Sequence, residues 1–235
     1  MYWLFEAASN RKIKFVDISI SETLARSVYY TNRGGNGLKI SVVKEQDAIV
    51  SRWAGGESSQ YYIYPQEADF SARNFCFRVS RAVSNSDEKA EYSNLKNYTR
   101  HLIMLEGTAH IFHSEHYDIV MNPYEEIDVF DGGWESCAAG RVKDFNLMVS
   151  KDFTGSMSVI NESCVLEFNS KEESVRDWVM FFCGSGNVSF SLNSEENVNI
   201  SQGDLIVFEN ASQKLKINIK SENSKLIKMI VNEWQ

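Results

Sequence analysis

No stretch of this 235-residue chain approaches 18 uninterrupted apolar residues, which excludes a membrane-spanning helix. A dense basic run is also missing. Lys+Arg 24 against Asp+Glu 32 gives a formal charge of -8, so a nucleic-acid backbone is a poor partner. The opening Met1-Tyr2-Trp3-Leu4-Phe5-Glu6 lacks the basic and apolar regions of a secretory signal, and the expected compartment is the cytosol. The N-x-S/T triplets at Asn97, Asn161, Asn187 and Asn210 therefore carry no weight. Cysteine is limited to Cys76, Cys137, Cys164 and Cys183, with no C-x-x-C pair, which argues against a zinc ribbon or a redox dithiol. These thiols are read as reduced and mostly buried. Walker A, dinucleotide and G-x-S-x-G motifs are absent, and Gly184-Ser185-Gly186 reads as a tight β turn, so no catalytic residue and no cofactor is assigned.

With 43% hydrophobic and 12% aromatic residues, the chain can bury a sizeable core. Residues 1–37 differ from the rest. Ser19-Ile20-Ser21-Glu22 has capping-box spacing ahead of Leu24, Ala25 and Val28, which predicts a short helix before the glycine-rich 32–37. From Leu38 onward, short β-branched and aromatic runs alternate with Gly, Asn, Asp and Ser, and only Pro65 and Pro123 interrupt them, which is an all-β pattern.

An internal echo organises those strands. Leu102 to Gly107 resembles Val179 to Gly184, Glu126 to Phe130 resembles Asp204 to Phe208, and Phe145 to Val149 resembles Leu226 to Ile230. Three blocks recurring in order predict two related barrels, 38–150 and 151–235, packed as one unit. Gly203-Asp204 before Leu205-Ile206-Val207-Phe208 has the form of a turn entering a buried strand.

The block Trp53-Ala54-Gly55-Gly56, Gln60, Ile63-Tyr64-Pro65, Asp69-Phe70 and Phe77-Arg78-Val79-Ser80 resembles the HutD/Ves family signature. Arg100, Leu105-Glu106-Gly107, Phe130-Asp131-Gly132, Cys137, Gly140 and Asp144-Phe145-Asn146-Leu147-Met148 continue it in order. The resemblance spans Leu38 to Trp234, departing at Ser59, where threonine is expected, and at Lys151, where arginine is common. It implies a bicupin, two double-stranded β-helix (jelly-roll) barrels. It also implies an association with histidine utilisation and a role in binding a pathway metabolite or limiting pathway output.

Catalytic cupins hold a metal with two or three converging histidines and a carboxylate. Here His101, His110, His113 and His116 crowd one copy, but alternation sets His110 opposite His113, and Ser114-Glu115 reads as a hairpin turn. A surface histidine cluster is the expectation, with a metal-dependent enzyme as the alternative. The remaining polar groups suit a small anion. Arg78 and Ser80 share one strand face, and Gln60, Tyr62 and Tyr64 share another. A buried Arg78 guanidinium needs either Glu106 or a ligand carboxylate as its partner. Arg100 is a second candidate for that role, its other reading being a surface charge. Trp53 and Tyr64 either wall a pocket against a planar ligand or belong to the core, and Asn146 either contacts the ligand or caps a strand. Gly55 and Gly56 are read as a tight turn beside Trp53. The leading expectation is a bicupin that binds a small carboxylate, urocanate or N-formylglutamate by resemblance. A third reading is an interaction module whose arm and β edges hold another chain or a second copy as a homodimer.

Overall fold

The computed structural model describes residues 27–30, 38–53, 55–168, 177–192, 196–211, 215–221 and 223–233. The strands of its first half are β1 (Ser27–Tyr30), β2 (Lys39–Val43), β3 (Ile49–Trp53), β4 (Gly56–Tyr64), β5 (Phe77–Ser84), β6 (Ala90–Glu91), β7 (Tyr98–Glu106), β8 (Ala109–His113), β9 (Tyr117–Met121), β10 (Asp128–Asp131), β11 (Ser136–Ala139) and β12 (Val142–Ser150). The second half adds β13 (Phe153–Ile160), β14 (Cys164–Phe168), β15 (Asp177–Ser185), β16 (Asn187–Leu192), β17 (Glu196–Ser201), β18 (Leu205–Glu209), β19 (Leu215–Ser221) and β20 (Lys225–Glu233). Among the described residues no helix is long and apolar enough to cross a membrane.

Two barrels form from four sheets. In the first, the six-stranded β10-β7-β12-β5-β4-β3 faces the four-stranded β6-β11-β8-β9. In the second, β1-β2-β18-β15-β20-β13 faces β14-β19-β16-β17. The echoed blocks occupy the same places, since β10-β7-β12 and β18-β15-β20 run in the same spatial order. Lys39–Val43, at the start of the segment assigned to the first barrel by its sequence, pairs instead with β18 of the second. Val28, expected in a helix, lies in strand β1 paired with β2, because the β2 edge offers it a ladder. The rest of that expected helix, with its Ser19 to Glu22 cap, and the glycine-rich 32–37 lie outside the described residues.

The largest apolar cluster fills the space between the two six-stranded sheets. Tyr61, Tyr62, Phe77, Val79, Ile103, Phe145 and Leu147 come from one sheet, and Trp178, Met180, Phe182, Val207 and Met229 from the other. Phe145 stacks on Phe182 with centroids 4.1 Å apart, and Phe77 meets Trp178 edge-on at 5.0 Å. Such aromatic pairs add to what area burial alone supplies. Polar contacts pin the rim of this slab. The turn that raises Gly203 to a φ of 87 aims Asp204 at Lys44 Nζ, 2.7 Å away, and at the Ser201 N–H, 2.9 Å away. Glu45 next to it pairs with Arg81 of the first barrel. The Gly-Asp turn read from the sequence is therefore a junction as well as the start of a strand.

His101 faces this slab. Strand alternation sets it with Ile103 and Leu105, and its Nε2 packs over Gly155 of β13. Burial holds its pKa down at about 4. The unfolded imidazole titrates near 6.5 and binds a proton more readily than the folded one. Stability is therefore complete above about pH 6.5 and falls as pH drops toward 4, by up to about 3 kcal/mol. Urea unfolding across that window should show this loss in the wild type and a flatter profile in His101→Leu; parallel profiles would remove His101 as the cause.

Candidate functional site

The other face of the same six-stranded sheet lines the first barrel. Register sets Arg78 and Arg100 on either side of Met148, Ser80 beside Asn146, and Gln60 beside Ser80. Ser58, Gln60, Arg78, Ser80, Asn146 and Arg100 thus form one polar row on the barrel interior. A bulge between Gln60 and Tyr62 breaks the alternation expected along β4. Gln60 points to Arg78, whereas Tyr62 and Tyr64 turn to the slab and stack on Phe77 at 5.6 and 5.5 Å. Tyr64 is a core residue rather than a pocket wall, 4.6 Å from Trp178.

Arg78 is only 5% exposed, and its partners are neutral. Nε donates to Gln60 Oε1 at 2.7 Å, Nη1 to Ser80 Oγ at 2.8 Å, and Nη2 reaches Ser58 Oγ at 3.4 Å. The guanidinium also lies 4.4 Å over the Phe70 ring, which Arg73 covers as well. The connection between β4 and β5 thus folds over this end of the barrel; the Tyr98 hydroxyl holds it by donating to the carbonyls of Arg73 and Phe75. Among the described residues no carboxylate lies within 4.0 Å of Arg78. Burial, with Arg100 and Arg73 adding like charge, pulls its pKa down to about 10. The expected Arg78–Glu106 pair does not form, because Glu106 ends β7 on the opposite face and meets Lys143 at 2.8 Å in solvent.

Arg100 is buried too, not a surface charge. It lies 4.5 Å over Tyr92 and 5.2 Å over Phe130, and its Nε has no hydrogen-bond partner among the described residues. Asn146 Oδ1 is likewise unpartnered, so it does not cap a strand with that atom. Burial lowers the pKa of Arg100, while Tyr92, Asp144 and Asp128 favour its charge. Trp53 is 42% exposed at the β3–β4 hairpin, where its ring leaves no room for a Cβ at Gly55, while the Val83 carbonyl leaves none at Gly56. Trp53 pairs with Gly56, two residues beyond Ser58 at the end of the polar row. Its neighbouring cleft is lined by Arg52, Glu57, Asn85 and Ser86.

The histidines do not converge. His110 is exposed, and His116 stacks on Trp134 at 3.7 Å, while His101 faces the slab. His113 is not at the surface as expected: its side chain is fully buried because Phe130 and Trp134 enclose it. Among the described residues no group of three His, Cys, Asp or Glu is placed to hold a metal. His113 lies between Ser136 and Tyr117 in the four-stranded sheet, and all three converge on Asp128 or on one another. His113 Nδ1 meets Ser136 Oγ at 2.7 Å and Nε2 meets Asp128 Oδ2 at 2.9 Å, while the Tyr117 hydroxyl donates to Asp128 Oδ1 at 2.6 Å. Asp128 belongs to β10 of the opposing sheet, so this network clasps the barrel wall. Alternation could have revealed Asp144 and Asp128, which share faces with Asn146 and Phe130; the His113 network depends on cross-sheet register and left no sequence signal.

The HutD family profile matches residues 45–227. The chain belongs to the HutD family. Among solved structures, it is similar to a conserved protein of unknown function from Pseudomonas aeruginosa, at TM-score 0.70 and 14% identity over 83% of this chain and 98% of that one. HutD from Pseudomonas fluorescens gives 0.66 and 16% over 83% and 100%, and the nickel(II)-bound pirin of Escherichia coli gives 0.57 and 12% over 83% and 98%. At these identities the likeness concerns the fold, which is the cupin bicupin. No curated protein matches it in sequence.

Removing one partner from the Asp128 network leaves the others buried and unpaired. His113→Ala and Asp128→Ala should each cost about 3 kcal/mol, and the double variant clearly less than the sum. A double-mutant cycle by urea unfolding measures this; strict additivity would show that the clasp carries no coupling.

Proposed function

We propose that the first barrel is a receptor for a small carboxylate metabolite and that it serves a regulatory role in histidine utilisation, as its family membership suggests. The observation that supports this most is Arg78. A guanidinium removed from water carries a large desolvation cost unless an anion offsets it. Here Gln60, Ser58 and Ser80 orient the group without neutralising it. Neutral acceptors leave the full positive charge for a ligand, and a carboxylate matches the guanidinium fork bidentately. Arg100 and the unpartnered Asn146 Oδ1 extend the polar row and suit a ligand with more than one polar end. No bond-making step is assigned to the site.

Family resemblance makes urocanate and N-formylglutamate the first acids to try. Formate belongs beside them, because the structure of HutD from Pseudomonas fluorescens is of a formate condition. A ligand present at about 100 times its Kd should raise the melting temperature by about 5 °C. The test is thermal unfolding with urocanate, N-formylglutamate, formate, succinate and a chloride control. A rise for one acid that disappears in both Arg78→Gln and Arg78→Lys is the expected result, since lysine lacks the fork. No rise for any acid overturns the reading.

A further inference from the structure

Asp144 is the acidic member of the interior row and was not among the expected site residues. It lies on β12 two residues before Asn146, on the same strand face, between Ala82 of β5 and Met104 of β7. Its carboxyl accepts no hydrogen bond and forms no ion pair within 4.0 Å among the described residues, yet Arg100 acts on it through space. Arg100 in turn has, among the described residues, an unpartnered Nε and no carboxylate within 4.0 Å. Two opposite charges on one face of a barrel interior attract each other, and Asp144 is half-buried where Arg100 is buried. These two are held apart.

We propose that an acid group of the ligand seats between Arg100 and Asp144, and that Asp144 carries the proton that lets two carboxyl groups share that space. This rests on the carboxylate reading above. Like-charged carboxyls in hydrogen-bond contact cannot both ionise, so the ligand acid accepts a hydrogen bond from the protonated Asp144 while Arg100 holds its charge. Asp144 thereby sets specificity: it favours a ligand acid that accepts a proton-mediated bond, and it makes anion binding draw one proton from solvent whenever Asp144 starts ionised.

The charged and titratable groups around Asp144 fit this role. Arg100 acts on it from β7 and Tyr92 from the segment after β6, Asp128 of β10 acts on both of these, and Arg78 stands on β5 beyond Met148. His113 of β8 engages Asp128, and Cys137 of β11 lies in the field of Tyr92. Burial pushes the Asp144 carboxyl up to about 7 despite the pull of Arg100, and it pushes the Tyr92 hydroxyl up as well. Arg78, at about 10, stays cationic through neutral pH.

The test is calorimetric titration of the full chain with succinate from about pH 6 to 8.5. Wild-type affinity should be flat below about 7 and fall by up to about tenfold per pH unit above it, with a flat profile for Asp144→Asn. Repeating the wild-type titration in two buffers of different ionisation enthalpy reads proton uptake directly, so the test survives a poorly folded variant. Binding that is pH-independent and without proton uptake overturns the role of Asp144 and leaves the carboxylate reading standing. A wild type that binds no succinate at any pH also overturns it, and the acid panel then decides whether the carboxylate reading falls with it.

Discussion

Apolar contact between the two six-stranded sheets supports everything else in this molecule. That slab buries one face of β4, β5, β7 and β12, and strand alternation then commits every second side chain of those strands to the interior of the first barrel. Arg78, Arg100 and Asn146 face inward because Phe77, Val79, Ile103, Phe145 and Leu147 have to face the other barrel. The polar row is held in register by hydrophobic packing on its back, which is a rigid platform for a binding site.

The two barrels have diverged in what fills them. The interior of the second is closed by Phe181, Phe190 and Phe208 with Val179, Ile206, Ile217 and Leu226, an apolar core without a guanidinium among the described residues. The first keeps apolar clusters around Leu102, Met104, Ile111 and Met121 and around Ile63, Phe75 and Met148, and buries Arg78 and Arg100 beside them. One copy of the duplication is therefore filled mainly by apolar packing, and the other also buries charged side chains.

Much of this was legible in the sequence because it rests on local pattern. The all-β pattern, the echoed blocks, the Gly203-Asp204 turn and the shared face of Arg78 and Ser80 all follow from period-2 alternation and turn residues. Sequence reading failed where one residue changed the register or where partners came from distant strands. The β4 bulge moved Tyr62 and Tyr64 away from Gln60, which no pattern in Ser58 to Tyr64 announces. Glu106 was a sound choice of partner by charge, but it shares the outward face with Lys143. The Asp128–His113–Ser136 network joins three strands across two sheets, and its members are far apart in the chain. The thiols were half right: Cys183 is buried, whereas Cys76, Cys137 and Cys164 are only half-buried.

The placement of β2 has a consequence for how the chain is made. Lys39 bonds Glu209 across 170 positions, so a strand synthesised early completes a sheet whose partner strand emerges near the end of translation. The first barrel has its own strands in hand once Ser150 has left the ribosome, and it can pack while β2 is still waiting. During that interval β2 presents Ile40, Val42 and Val43 with no β18 beside them, and the face of the first barrel bound for Phe182 and Trp178 is open to water. The nascent protein is thus most vulnerable to aggregation after its first barrel exists and before its second arrives, an order of assembly written by one five-residue strand.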